Sequence, residues 1–197
     1  ASEIVTLEDE QTAAVACDGN EAVAFLDLGD LSGPVSGTLC DLPYPDGRRT
    51  RYLAHDGNGG VLVGVGPSPT NATASQLWSV TSDCSLSPID IADADGQLGQ
   101  VVPFGSGHWL LAQGALAPAG ERGVKVISSS GVCNTLPGLD DAWNTDGVPI
   151  SPYALAVAPD GEHLAIGAAP TQLGDAQAAI YGKVLWATLS GASDPCT

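Results

Sequence analysis

With 197 residues, 44% of them hydrophobic, the chain has room for one domain or two small ones and for a proper core. Asp and Glu number 23 against six Lys and Arg, a formal net charge of −17, which excludes nucleic acid and anionic membrane surfaces as partners by repulsion. No run of 18 apolar residues offers a membrane span. Cations, basic proteins or high salt suit such a chain, and so does plain solubility of an exported protein. There is no Met, and the start Ala1-Ser2-Glu3 reads as a mature form or a piece of a longer precursor. Five Cys beside 25 Gly and 14 Pro suit an oxidising compartment. No C-x-x-C pair is present, which argues against a zinc ribbon or a thioredoxin-like motif.

Helical spacing of apolar residues is nearly absent. Short runs rich in Val, Leu, Ile, Ala and aromatics alternate instead with Gly, Pro, Asp, Asn and Ser clusters, which is the strand-and-turn signature. The predicted strands come in four sets. The first set is 3–7, 12–16, 22–28 and 37–42. The second is 51–55, 61–65, 76–81 and 86–91. The third is 100–104, 108–113, 123–128 and 133–136. The fourth is 153–158, 163–167, 183–188 and a short end at Cys196. First strands start 48, 49 and 53 residues apart. The third-strand runs QLWSV and VLWAT set Trp78 and Trp186 at matching places.

Four short antiparallel strands in every 40 to 50 residues is the blade pattern of a β-propeller. The expected fold is therefore all-β, a single domain of four four-stranded blades at about 1–48, 49–97, 98–147 and 148–197. It either closes on itself or forms part of a larger ring, and a β-sandwich is the alternative. The run Leu155-Ala156-Val157-Ala158-Pro159-Asp160-Gly161-Glu162-His163-Leu164-Ala165-Ile166-Gly167 resembles the Pro-Asp-Gly hairpin of WD-like and TolB-like propeller repeats. That resemblance implies a first strand, an Asp-Gly turn and a second strand. His55-Asp56-Gly57 echoes it in the second repeat and Phe104-Gly105-Ser106-Gly107 in the third, while the first has only Glu8-Asp9-Glu10. The Trp-Asp dipeptide of WD repeats is absent.

In such a fold the connections 41–50, 90–99 and 139–152 share one face, where Asp90, Asp93, Asp95, Asp140, Asp141 and Asp146 crowd. Neither DIADADG nor DDAWNTDG completes a calcium loop, so no metal and no cofactor is expected and calcium should be dispensable. The starts of the innermost strands, Glu3, Arg51, Gln100 and Tyr153, form a mixed polar ring at the channel mouth, suited to a small ligand or a partner's side chain. Arg48, Arg49 and Arg51 make a basic patch that offers a carboxylate a bidentate dock. Tyr44 and Trp143 stand nearby as interface-type aromatics. His55, His108 and His163 lack metal-ligand spacing and read as structural. Phe25, Leu26, Trp78 and Trp186 suit packing between blades. Asn71-Ala72-Thr73 is a formal glycosylation acceptor.

Five cysteines cannot all pair within the chain, so one thiol is left over or linked to another chain. Cys17 and Cys40, close in one repeat, are the first choice of pair. Cys84, Cys133 and Cys196 recur near the outermost strand of successive repeats, where an outer-rim link is also open. The function expected from these features is a non-enzymatic, exported interaction or scaffold module, bound to another protein through the loop face. A propeller hydrolase or lyase with a channel site and a calcium-stabilised sugar- or surface-binding domain are the alternatives.

Overall fold

The computed structural model describes residues 3–17, 21–29, 32–43, 50–65, 76–91, 97–105, 107–115, 123–136, 144–145, 148–170, 182–189 and 196. The chain divides into two compact units, Ala1–Asp90 and Ile91–Thr197. In the first unit, β1 (Ile4–Thr6), β2 (Thr12–Cys17), β3 (Ala22–Asp27) and β4 (Gly37–Asp41) form one sheet in chain order. β5 (Thr50–His55), β6 (Gly60–Val65), β7 (Gln76–Thr81) and β8 (Leu86–Ile89) form the next. The second unit repeats the plan. β9 (Gln97–Pro103), β10 (His108–Ala115), β11 (Gly123–Ser128) and β12 (Gly131–Thr135) make a third sheet. β13 (Asn144–Thr145), β14 (Val148–Val157), β15 (His163–Pro170) and β16 (Lys183–Thr188) make a fourth. Every pairing is antiparallel, and all described regular elements are strands.

The predicted strands correspond to these strands, but β9 begins at Gln97 rather than Gln100 and the fourth blade differs in two ways. There the first strand begins at Val148 rather than Tyr153, and the fourth member of the sheet is β13 at the inner edge, not a strand at Cys196, which sits in a turn. Side-chain alternation explains where each sheet buries. β16 alternates partly buried and exposed residues along its length, as a strand covered on one face should. β6, with the run Gly60-Val61-Leu62-Val63-Gly64-Val65, is buried on both faces and reads as an unbroken apolar run. One core lies between the first two sheets, around Val23, Phe25, Leu53, Val61, Val63 and Trp78. A second lies between the last two, around Leu110, Val126, Ile150, Leu155, Leu164 and Ile166.

A turn joins the first expected strand to the second in each blade, and in three of the four an Asp side chain caps it. Asp56 accepts from the amides of Asn58 and Gly60, both at 2.8 Å. Asp160 accepts from Glu162 N at 2.9 Å and His163 N at 3.3 Å, and its other oxygen meets His163 Nδ1 at 2.8 Å. Those bonds, the Glu162 amide first and then His163, hold the Asp160 carboxyl below its usual range. The first blade uses the same device without glycine. Asp9 accepts from Gln11 N and Thr12 N at 2.9 Å, and Glu10 takes the left-handed backbone, φ 55°, that Gly57 and Gly161 take at 76° and 71°.

One backbone hydrogen bond closes each of these turns: Leu7 N to Thr12 O, Asp56 N to Gly60 O, Phe104 N to His108 O and Ala158 N to His163 O. Counting back from these four bonds gives a common frame in which Ile4, Leu53, Val101 and Leu155 are equivalent. In this frame Trp78 lies in the row Leu53–Val63–Trp78–Pro88, and Trp186 in the row Ala156–Ala165–Trp186. The equivalent of Trp78 is Leu185. The two tryptophans therefore project from opposite faces of their blades, which corrects the match read from QLWSV and VLWAT. Trp78 packs in the first core with Phe25. Trp186 is 73% exposed, so the expected inter-blade packing does not hold for it within the chain.

Both disulfides also follow the repeat. Cys40 on β4 is bonded to Cys84 in the turn before β8, and Cys133 on β12 to Cys196, with Cα–Cα distances of 5.1 Å in each. Each joins an outermost strand to the outer rim of the next blade. The expected Cys17–Cys40 pair is thus corrected, and Cys17 carries the free thiol. The reason is geometric. β3 lies between β2 and β4, so the two Cα atoms stand about 9.6 Å apart across two strand spacings, beyond the roughly 7 Å limit for a disulfide. The register Cys17↔Ala22 and Val23↔Cys40 also points the two side chains to opposite faces.

Candidate functional site

Glu3, Arg51, Gln100 and Tyr153 fall just before β1 and on β5, β9 and β14, and two of the four have a defined task. Glu3, just before β1, reaches the next blade, where its carboxylate accepts from Leu53 N on β5 at 2.6 Å. Gln100 on β9 does the same in the second unit, accepting from Leu155 N on β14 at 3.0 Å. In the common frame Glu3 is equivalent to Gln100, and Leu53 to Leu155. An innermost strand leaves alternate amides without a ladder partner, and this side chain satisfies one of them in the neighbouring blade. Arg51 and Tyr153 differ. β5 slips register between Thr50 and Tyr52, and β14 between Pro152 and Ala154, so both residues occupy β-bulges. Close packing of β9 on β14 needs Gly99. A Cβ there would stand 2.7 Å from the Tyr153 carbonyl oxygen and 2.8 Å from the Ala112 Cβ.

Burial pushes the Glu3 carboxyl above its usual range, and the bond from Leu53 offsets only part of that rise. The folded state then binds the proton more tightly than the unfolded chain. The contribution of Glu3 is greatest in acid and is lost as pH rises through its folded pKa. Glu3→Gln keeps the acceptor without the buried charge, as the sister repeat does naturally. The variant is expected to match or exceed the parent at neutral pH and to lose that advantage near pH 4, about the ordinary Glu value. Glu3→Leu should lose about 1–2 kcal/mol by leaving the Leu53 amide unsatisfied. Urea melts at the two pH values decide it, and a Gln variant clearly weaker at neutral pH would show that the charge itself is needed.

The second feature lies on the last blade. Tyr153, Ala154, Gly167, Ala168, Ala169, Gly182, Lys183 and Val184 line a groove of about 370 Å³ where the middle of β14 meets the end of β15 and the start of β16. Beside it Val184 and Trp186 are 64% and 73% exposed, and Tyr153 is 50% exposed. The rows of Val184 and Trp186 carry only small residues on the neighbouring strands, Ala154 and Gly167 in one and Ala156 and Ala165 in the other. The result is an open apolar face with one large aromatic standing out of it. The sequence carried this signal as Trp186 on an alternating strand, but the match to Trp78 assigned it to the wrong face.

The remaining candidates are placed as follows. Tyr44, Arg48, Arg49, Trp143, Asn71, Asp93, Asp95, Asp140, Asp141 and Asp146 lie outside the described residues. Arg51 lies on β5, and Asp90 is exposed just after β8. His108 and His163 open β10 and β15, and His55 ends β5, with its Nδ1 3.9 Å from Glu8 Oε1. Among the described residues no group of three or more His, Cys, Asp or Glu is placed to hold a metal ion. Also among them, no helix is long and apolar enough to cross a membrane.

Solved structures similar to this chain share its sheets. A streptogramin B lyase aligns with a TM-score of 0.56 at 12% identity, over 98% of this chain and 55% of its own. The fold is that of β-propeller blades. The NanB sialidase from Streptococcus pneumoniae aligns at 0.54 and 12% identity, over 87% of this chain and 28% of its own. The periplasmic gluconolactonase of Pseudomonas aeruginosa aligns at 0.50 and 14%, over 94% and 56%. The chain thus spans about half the length, or less, of these structures. No family model and no curated protein matches the chain.

Proposed function

We propose that the chain is an exported, non-enzymatic interaction module, a set of propeller blades working as part of a larger extracytoplasmic assembly. The observation that carries this reading is the open apolar face at Tyr153, Val184 and Trp186 with its adjoining groove. Large exposed apolar patches on a soluble protein mark contact surfaces. Two disulfides within the chain suit an oxidising compartment, secreted or periplasmic. In this reading Glu3 and Gln100 lock neighbouring blades. Arg48, Arg49 and Arg51, with Tyr44 and Trp143, offer a second contact for an acidic partner. The size of the protein purified natively from its extracytoplasmic fraction tests the reading. A species larger than one chain is expected, and a lone monomer would overturn it.

A propeller enzyme is the second reading. It draws on neighbours that are a lyase, a sialidase and a lactonase, and on Glu3, the half-buried carboxyl of the inner strands whose affinity for its proton is raised. Fold alone does not carry activity from them to this chain. Turnover of a lactone or glycoside that is lost in Glu3→Gln, with folding intact, would favour it over the interaction module.

A further inference from the structure

We propose that the seam between the first two blades is a clasp tightened by protons, holding more firmly in mild acid than at neutral pH, and that the second unit builds the same seam without it. The clasp lies wholly inside the first unit and is independent of the interaction reading above.

The register frame matches the contact between blades in one unit to that in the other, residue by residue. In the first unit two charged side chains of the leading blade, one on either side of β1, reach the following blade. Glu3 accepts from Leu53 N at 2.6 Å. Glu8 Oε1 lies 3.9 Å from His55 Nδ1 at the end of β5. The same oxygen stands 3.6 Å from where a Cβ on Gly57 would be, so the Glu8 carboxylate rests against the neighbouring turn. In the second unit Gln100 takes the place of Glu3 and accepts from Leu155 N at 3.0 Å. Counting from the turn bonds, Gly105 takes the place of Glu8 and Val157 that of His55. Val157 packs against the second core. Three ionisable groups in the first seam are thus answered by three neutral residues in the second. The second unit does hold a close histidine–carboxylate pair, His163 with Asp160 at 2.8 Å, but that pair sits inside one turn and crosses no seam.

Both contacts of the first seam respond to protons in the same direction. Burial lifts the Glu3 carboxyl above its usual range, so folding favours its protonated form. A histidine ring carries charge only below about pH 6.5, and only the charged ring attracts the Glu8 carboxylate. Stability from the pair is present below the ordinary histidine value and is lost as pH rises past it. Stability from Glu3 is lost as pH rises through its folded pKa. The surrounding ionisable groups are few. Asp9 is held below the usual carboxylate range by the Thr12 hydroxyl and then by the amides of Gln11 and Thr12, so it keeps its charge over this window. Asp56, next to His55, accepts from the amides of Asn58 and Gly60 within its own turn. Glu10 shares the turn of Asp9, Cys17 ends β2 and Asp27 ends β3. Arg51 on β5 is the cation among these strands, and it opposes the charging of His55.

Hydrogen exchange of the full chain at pH 5.5 and 8, corrected for the intrinsic rate of each amide, tests the clasp. The amides of β6, the strand between β5 and β7, report opening of their unit. Partly exposed pairs are weak, so β6 should be about two- to fivefold better protected at pH 5.5 than at pH 8. His55→Gln and Glu8→Gln should each remove most of that difference, and the two together should remove no more than either alone. The side chains are 39% and 58% exposed, so both variants are expected to fold, as circular dichroism checks. His163→Gln is the control and should leave the β6 difference intact. A parent without the difference would overturn the proposal. So would a difference that survives both substitutions, or one that His163→Gln also removes.

Discussion

Replacing Cys133 or Cys196 with Ser is expected to lower stability by about 4 kcal/mol, and replacing Cys40 or Cys84 by about as much. The bridges close separations of 63 and 44 residues, and the chain-entropy cost of leaving such loops open changes only slowly with length. Domains of this size are stable by about 5–15 kcal/mol, so losing both bridges should leave little folded protein. Cys17→Ser is the internal control. It touches neither bridge and should stay within about 0.5 kcal/mol of the parent. Denaturant melts read the energies. Alkylation followed by intact mass reads the connectivity: one thiol should label without reduction and five after it, from one free cysteine plus two bridges. A Cys40→Ser variant no weaker than Cys17→Ser would remove the bridge from the account of stability.

Much of the fold was legible in the sequence, because strands covered on one face alternate and the Asp turns punctuate them. β7, β11 and β16 fall at the residues expected, and only β16 alternates along its whole length. What was not legible depends on register, which local pattern does not carry. The first strand expected from Tyr153 begins at Val148, with Pro149 and Pro152 inside it. Pro149 stands opposite Asn144 of β13 and Pro152 opposite Ala168 of β15. The bulges at Arg51 and Tyr153 offset these positions by one residue, so that Glu3 and Gln100 are equivalent to each other in the repeat but not to those two. The turn at Asp9 lacked its glycine and was unremarkable until Glu10 proved to be left-handed. Cysteine partners were open because connectivity depends on which strand lies between them. The outer-rim recurrence of Cys84, Cys133 and Cys196 was the better signal than the nearness of Cys17 to Cys40. The candidate face was legible only in its parts. Val184 and Trp186 alternate along β16, but which face they share requires the hairpin frame.

Phe25 and Trp186 occupy the same register position on the first and last blades, and they are expected to differ sharply when truncated. Phe25→Ala should cost about 3–5 kcal/mol, because the ring is enclosed between two sheets and its removal leaves a cavity among Leu53, Val63 and Trp78. Trp186→Ala, in dilute protein where each chain stands alone, should change stability by no more than about 0.5 kcal/mol, since the side chain already faces solvent. Urea unfolding followed by far-ultraviolet circular dichroism measures both without relying on the tryptophan signal that one variant removes. The contrast isolates environment from chemistry, as two large aromatic side chains at one position of the repeat are compared with and without a blade against them. Equal losses in dilute protein would mean that Trp186 is enclosed within its own chain, and the open face on the last blade would then be no contact surface at all.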